Sequence, residues 1–176
     1  LSAALGINLL IKREDLTGLC VGGNKSRLLE FAIGSLRAKG VDTLIAYAAE
    51  QSNKLRDIAA VAARCGMQAI LLIPGPLPPD GKPLQGNRLL FDILGADVRV
   101  VTTGPGRAAI MAVQEAVRDE VVRAGRCSVA RDRHLDYGID ATIAYVDAAE
   151  ELHQQLATSA ASPHSVFIAA GAGMTV

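Results

Sequence analysis

The chain has 176 residues, room for one α/β domain or parts of two. Lys plus Arg and Asp plus Glu both number 18, so the net charge is zero and the basic footprint of a nucleic-acid binder is absent. Half of the residues are hydrophobic but only 3% are aromatic, and no apolar run reaches the ~18 residues that a membrane span needs, so small aliphatic side chains pack a core rather than face lipid.

In chain order, Leu9 to Lys12 is a short apolar run suited to a strand, and Arg13-Glu14-Asp15 leaves it in a polar turn. Gly22-Gly23-Asn24-Lys25 follows, a turn whose glycines admit close backbone approach. A helix is predicted from Asn24 to about Ala38, with Leu28, Leu29, Ala32 and Leu36 inward and Gly40 ending it. Thr43 to Ala46 is the next strand. Ser52 caps a second helix whose Leu55, Ile58, Ala59, Ala62 and Ala63 share a face, and Gly66 stops it. Gln68 to Ile73 is almost continuously apolar, the pattern of a strand covered on both faces.

Pro74 to Pro83 is a proline- and glycine-rich loop. A helix from about Leu84 to Leu94, a strand Val98 to Val101 and a helix striped by Ile110, Val113, Val117 and Val121 come next. Cys127 to Ala130 reads as a short strand, Arg131 to Gly138 as a polar loop, Asp140 to about Ala157 as a helix and Ser165 to Ala170 as the last strand. Strands alternating with helices through short loops predict an α/β fold with a parallel sheet and right-handed crossovers. Ligands of such sheets bind at the carboxyl ends of strands, and Lys25, Ser52 and Gly171 all follow candidate strands or lie in the turns leading from them.

Cys20, Cys65 and Cys127 are scattered and odd in number, which reads as reduced, mostly buried thiols of a cytoplasmic protein. His134, His153 and His164 share no metal spacing, so no metal is expected. The chain starts at Leu1 rather than methionine and stops at Val176 just after a glycine-rich turn that would normally enter a helix. It therefore reads as an N-terminal fragment.

A lysine that forms a Schiff base must reach a cofactor carbonyl, and Lys25 is the best-placed candidate on chemical grounds. Lys12 lies in a strand of alternating charge, Lys39 at a helix C-terminus and Lys82 in the proline loop. Ile11-Lys12-Arg13-Glu14-Asp15-Leu16-Thr17-Gly18, Gly22-Gly23-Asn24-Lys25-Ser26-Arg27 with Leu29-Glu30-Phe31, and Gln51-Ser52-Asn53-Lys54-Leu55-Arg56 form an ordered series. Gly86-Asn87, Leu94-Gly95-Ala96-Asp97-Val98 and Gly171-Ala172-Gly173-Met174-Thr175 continue it almost to the end. Together they resemble the tryptophan-synthase-β-like (fold type II) pyridoxal-phosphate enzymes, and within these the D-cysteine desulfhydrases and 1-aminocyclopropane-1-carboxylate deaminases.

The resemblance implies three-layer αβα parallel sheets, incomplete here. Residues 1–24 and 135–176 would belong to a larger cofactor domain, and 25–134 to a smaller α/β domain. It implies pyridoxal 5'-phosphate as cofactor, held covalently by Lys25. Asn53 would donate to the ring hydroxyl oxygen, and Ser52 would lie near the substrate carboxylate and take part in proton movement; a plain helix cap is the other reading of Ser52. Gly171, Ala172, Gly173, Met174 and Thr175 would cradle the phosphate through backbone N–H groups and the Thr hydroxyl. Two positions depart from the commoner pattern: Met174 stands where small residues are usual, and Lys54 where many relatives carry histidine.

The implied activity is that of a lyase or deaminase on a small amino acid. D-cysteine would yield sulfide, pyruvate and ammonia, and the cyclopropane amino acid 2-oxobutyrate and ammonia. A homodimer is expected for the full-length protein, with no nucleic-acid or membrane partner, and the chain by itself is expected to be inactive. Two alternatives stay open. The chain is a catalytically silent fragment or relative, or Gly171-Ala172-Gly173 begins a nucleotide-binding fingerprint, a reading that leaves the Gly-Gly-Asn-Lys and Gln-Ser-Asn runs unexplained.

Overall fold

The computed structural model describes residues 1–19, 21–76, 83–102, 104, 106–131, 138–159 and 161–169. Four parallel strands make the sheet: β1 (Thr43–Tyr47), β2 (Gln68–Pro74), β3 (Asp97–Val101) and β4 (Ser128–Arg131), in the order β3-β2-β1-β4. The helices are α1 (Ser2–Leu5), α2 (Lys25–Ala38), α3 (Asn53–Cys65), α4 (Gly86–Ile93), α5 (Arg107–Arg123) and α6 (Gly138–Thr158), with a 3-10 turn at Glu14–Leu16.

Alternation along the central strands divides the core in two. Leu44 and Ala46 of β1 and Ala69, Leu71 and Ile73 of β2 meet Leu28, Leu29, Ala32, Ile33 and Leu36 of α2, Leu55, Ile58 and Ala59 of α3 and Phe91 of α4. On the other face Ile45, Ile70 and Leu72 meet Val117 and Val121 of α5. The result is helix, sheet, helix, as expected for strands apolar on both sides. Helix α6 packs on α2 rather than on the sheet.

The strand expected at Leu9 to Lys12 does not form, and residues 165–169 of the one expected at Ser165 to Ala170 are not a strand either. Both runs have the composition of a strand but no ladder partner among the described residues, and without one an apolar run gains no backbone hydrogen bonds. Leu10, Ile11 and residues 165–169 are accordingly exposed, Phe167 by 93%, while Leu9 and Lys12 are half-buried. The short α1 was not anticipated; Ser2 Oγ accepts from Leu9 N–H at 3.2 Å just beyond it. Ala63 is exposed, and Val61 is buried in its stead. The expectation of mostly buried thiols is also corrected: Cys65 is half-buried and Cys127 exposed, while Cys20 lies outside the described residues. No helix among the described residues is long and apolar enough to cross a membrane, and none of their side chains cluster as a metal site would.

Helix α6 is latched to α2 by charge. Arg27 grips Glu14 through two parallel bonds, Nε to Oε2 at 2.7 Å and Nη2 to Oε1 at 3.0 Å. Its Nη1 lies 2.7 Å from Glu151 Oε2, and Lys12 Nζ reaches the other Glu151 oxygen. The hydrogen bond from Arg27, then that from Lys12, hold the Glu151 carboxyl down from 4.5 to about 2. A carboxyl lowered on folding adds stability above its unfolded value and loses that contribution as pH falls toward its folded value. The latch's contribution to stability is therefore full above about pH 4.5 and almost lost once pH has fallen to about 2. Glu151→Gln should cost ~0.5–1 kcal/mol at pH 7, the scale of a partly exposed ion-pair network. In urea titrations followed by circular dichroism, the gap between the two proteins should close between pH 4.5 and 2. A gap that stays constant across that range would show that Glu151 carries no such charge coupling.

Candidate functional site

In this parallel sheet α2, α3 and α4 all begin at the same edge. Each helix runs antiparallel to the strands, so its N-terminus lies at their carboxyl ends. Lys25 is the first residue of α2, Asn53 the first of α3 and Gly86 the first of α4. Three polar motifs far apart in sequence thus open onto one edge.

The turn before Lys25 is built by contact. Gly22 and Gly23 take φ of +71° and +122°, and a Cβ on Gly22 would sit 1.9 Å from the Asp15 carbonyl oxygen. Gly23 N–H donates to Glu14 O at 3.0 Å, and Thr17 Oγ1 donates to Glu14 O at 3.0 Å. Tyr145 of α6 donates its hydroxyl to Asn24 O at 2.9 Å, fixing the last residue before the helix. Burial, then the charge of Glu14, pushes the Tyr145 hydroxyl above its ordinary value, so it stays protonated as that donor. Lys25 itself is half-buried.

The second motif is locked to the third. Gln51 Oε1 accepts from Asn87 N–H at 2.9 Å, and Gln51 Nε2 donates to Gln85 O at 3.2 Å. Asn87 Nδ2 donates to Gln51 O and to Asn53 Oδ1, both at 2.8 Å. Gly86, at φ +55°, leaves room for this: a Cβ there would lie 2.5 Å from Gln51 Oε1. Ser52 Oγ accepts from Leu55 N–H at 3.4 Å, so it caps α3 as the plain reading of that residue required. A capping hydroxyl retains its own proton to donate elsewhere.

Beneath Asn53 lies a buried ion pair. Arg56, 8% exposed, donates through Nε and Nη2 to Asp57 Oδ1 at 3.0 and 2.9 Å, and through Nη1 to Asn53 Oδ1 at 3.0 Å. Burial pushes the Asp57 carboxyl up, against the hydrogen bond and charge of Arg56 and the charge of Lys25. Asp57 follows Asn53 by one helical turn, and the charge of Lys25 is among the smaller influences on its carboxyl. Arg56 and Asp57 were not singled out from sequence. Their signal was the spacing of three and four residues after Asn53, which puts them on one side of α3. Lys54 is half-buried beside them. Gly171, Ala172, Gly173, Met174 and Thr175 lie outside the described residues.

The pyridoxal-phosphate-dependent enzyme family matches the chain across residues 1–176. Among curated relatives, a D-cysteine desulfhydrase of Salmonella choleraesuis (strain SC-B67) is 32% identical, over 99% of this chain and 52% of that protein. A 1-aminocyclopropane-1-carboxylate deaminase of Methylobacterium nodulans is 42% identical, over 72% of this chain and 39% of that protein. Among solved structures, the crystal structure of an ACC deaminase homologue superimposes with a TM-score of 0.73 at 34% identity, over 88% of this chain and 45% of that one. The crystal structure of a threonine deaminase shares the fold alone, with a TM-score of 0.61 at 21% identity, over 92% of this chain and 45% of that one. The chain spans about half the length, or less, of the curated relatives it matches. It belongs to the pyridoxal-phosphate-dependent enzymes, and its sheet and helices are the α/β fold of fold type II members.

The described residues fit the cofactor that the family is named for. A primary amine stands at the strand ends on a turn where a Cβ would clash. The Asn53 oxygen is already taken by two donors, so what that amide offers a ligand is its N–H. Gly22 should be the least replaceable glycine of the turn. Gly22→Ala combines a positive φ, costing ~1–2 kcal/mol, with a backbone collision, whereas Gly18→Ala meets nothing within 4 Å and carries only the first cost. Denaturant titration should show Gly22→Ala losing more than ~3 kcal/mol and Gly18→Ala about 1 kcal/mol. Equal losses would mean that the Asp15 contact does not constrain the turn.

Proposed function

We propose that Lys25 carries pyridoxal 5'-phosphate and that the complete protein is a lyase or deaminase acting on a small amino acid. The enzyme would be D-cysteine desulfhydrase-like or 1-aminocyclopropane-1-carboxylate deaminase-like. The observation that supports this best is the pairing of a lysine on a Gly22-constrained turn with an asparagine whose amide oxygen is held from behind, at one edge of a parallel sheet.

When bound, the cofactor supplies an electron-withdrawing ring that weakens a bond at the substrate's α-carbon. The residues of the chain do the rest. The Lys25 amine would be the point of attachment and, when free, a base for the substrate's α-carbon proton. Asn53 Nδ2 would donate to the ring oxygen and so hold the ring. Backbone N–H groups at the start of α3, with the Ser52 hydroxyl, suit the substrate carboxylate, because a helix N-terminus presents unpaired donors and a positive dipole end. Gly171 to Thr175 would hold the phosphate in the same way. Residues 1–24 with 135–176 are proposed to join a larger cofactor domain, and 25–134 to form the smaller one. A cytoplasmic homodimer is the proposed whole.

Lys25→Ala in the complete protein should abolish the yellow, borohydride-reducible link to added pyridoxal phosphate while leaving circular dichroism unchanged. Peptide mass mapping of the reduced wild type should place the adduct on Lys25; an adduct on any other lysine would sink the assignment. Asn53→Ala should move the pH midpoint of the cofactor band by about one to two units, since a hydrogen bond to a charged oxygen is worth ~1.5–3 kcal/mol. An unmoved midpoint would place Asn53 away from the ring. Sulfide release from D-cysteine against 2-oxobutyrate from the cyclopropane amino acid then separates the two substrate classes.

A further inference from the structure

We infer that Arg56 is a positioning residue, its buried guanidinium holding the Asn53 carboxamide by its oxygen so that the amide nitrogen is the atom presented to the cofactor. The inference rests on the reading of Asn53 given above and assigns a second residue to that contact.

Asn53 is exposed, and an exposed carboxamide by itself is free to turn its oxygen or its nitrogen toward a ligand. Here the choice is made from behind. Arg56 Nη1, at 3.0 Å, and Asn87 Nδ2, at 2.8 Å, both donate to Asn53 Oδ1. Guanidinium carries donors and no acceptor, so a flipped amide would set N–H against N–H at Arg56. Asn87 is a weaker arbiter, since an amide can flip in its turn.

The guanidinium is itself anchored. It is 8% exposed, and two of its nitrogens close on one oxygen of Asp57, which is 2% exposed. Asp57 thus supplies the countercharge that lets Arg56 stay buried, and it sets the angle at which the third nitrogen meets Asn53. A planar fork can serve both partners at once; a lysine ammonium in the same place is a single point that cannot keep this geometry. Leu55, Ile58 and Ala59, the buried residues that flank the pair along α3, carry no acceptor side chains.

The test uses the complete holoenzyme and reads the cofactor absorbance band, its pH midpoint and the cofactor Kd from dialysis. Arg56→Lys, which keeps a charge beside Asp57, should shift the band's midpoint in the same direction as Asn53→Ala and weaken pyridoxal phosphate binding by about 10-fold, the scale of one charge-assisted hydrogen bond. In an Asn53→Ala background the same change should add nothing. Should Arg56→Lys fail to fold, the paired change Arg56→Met with Asp57→Leu removes both buried charges together, a kind of swap that cores often accept. It should give the same non-additive shift. Effects that add fully to those of Asn53→Ala, or an Arg56 variant with wild-type midpoint and Kd, would overturn the role of Arg56 while leaving Asn53 in place. If Asn53→Ala itself changes neither reading, the placement of Asn53 against the cofactor fails first, and the inference falls with it.

Discussion

The Asp15 carbonyl oxygen occupies the space where any side chain at Gly22 would stand, and the geometry of the site follows from that contact. It brings the polar segment around Glu14 onto the turn before α2, so that Gly23 N–H and Thr17 Oγ1 can both use the Glu14 carbonyl. With the turn closed, α2 can start only in one direction, and its first residue is Lys25. The Glu14 side chain then reaches Arg27, two residues further on, and Arg27 reaches Glu151 of α6. A single close approach between backbones therefore sets the lysine, the entry of α2 and the docking of α6.

The second device is electrostatic, and its energetics differ. A buried ion pair gains attraction in a poorly polarisable surrounding but loses the hydration of both charges, and the two effects often cancel. Arg56 and Asp57 are thus poor candidates for stability as such, in a core that is otherwise mostly aliphatic. Their spare donor goes to Asn53, and Asn53 is held a second time by Asn87. The pair makes sense as a means of orienting a polar group at the surface from a fixed point below it. The raised carboxyl of Asp57, with burial as the largest cause, shows that the desolvation is only partly offset.

Much of this was legible in the chain. Helices α2 and α3 carried their apolar stripes, Ser52 its cap and Gly66 its stop, because these signals depend on residues a few positions apart. Strands β1 and β2 were legible because burial on both faces makes a run continuously apolar. The run at Leu9 to Lys12, and residues 165–169 of the run at Ser165 to Ala170, failed as strands because a strand is defined by its neighbour, which composition does not record. The burial of Arg56 and Asp57 escaped notice for the opposite reason. Charged residues inside a helix ordinarily mark its solvated side, and only the packing of α3 shows that both are buried. Lys25, Ser52 and Asn53 could be picked out because turn, cap and polar run coincide with them. The lock from Gln51 to Asn87 joins residues 36 positions apart, a pairing for which Gly86-Asn87 is the only local mark.

The common direction of α2, α3 and α4 completes the physical picture. In a parallel sheet with helical crossovers, helices that return the chain to the start of the next strand aim their N-termini at the strands' carboxyl edge. Each such end carries about half a positive charge and adds ~0.3–1 kcal/mol to the binding of a nearby anion. Around Lys25, Asn53 and Gly86 these contributions share one sign and one edge. A phosphate-bearing cofactor and an amino acid's carboxylate are both anions, so an edge of this kind favours both before any side chain contributes. Arg56 adds a full charge below that edge, but Asp57 neutralises it locally, which leaves the donor geometry of the guanidinium and removes most of its long-range field. The fold accordingly supplies a diffuse preference for anions, while in the proposed function the fixed amide of Asn53 and the amine of Lys25 supply direction.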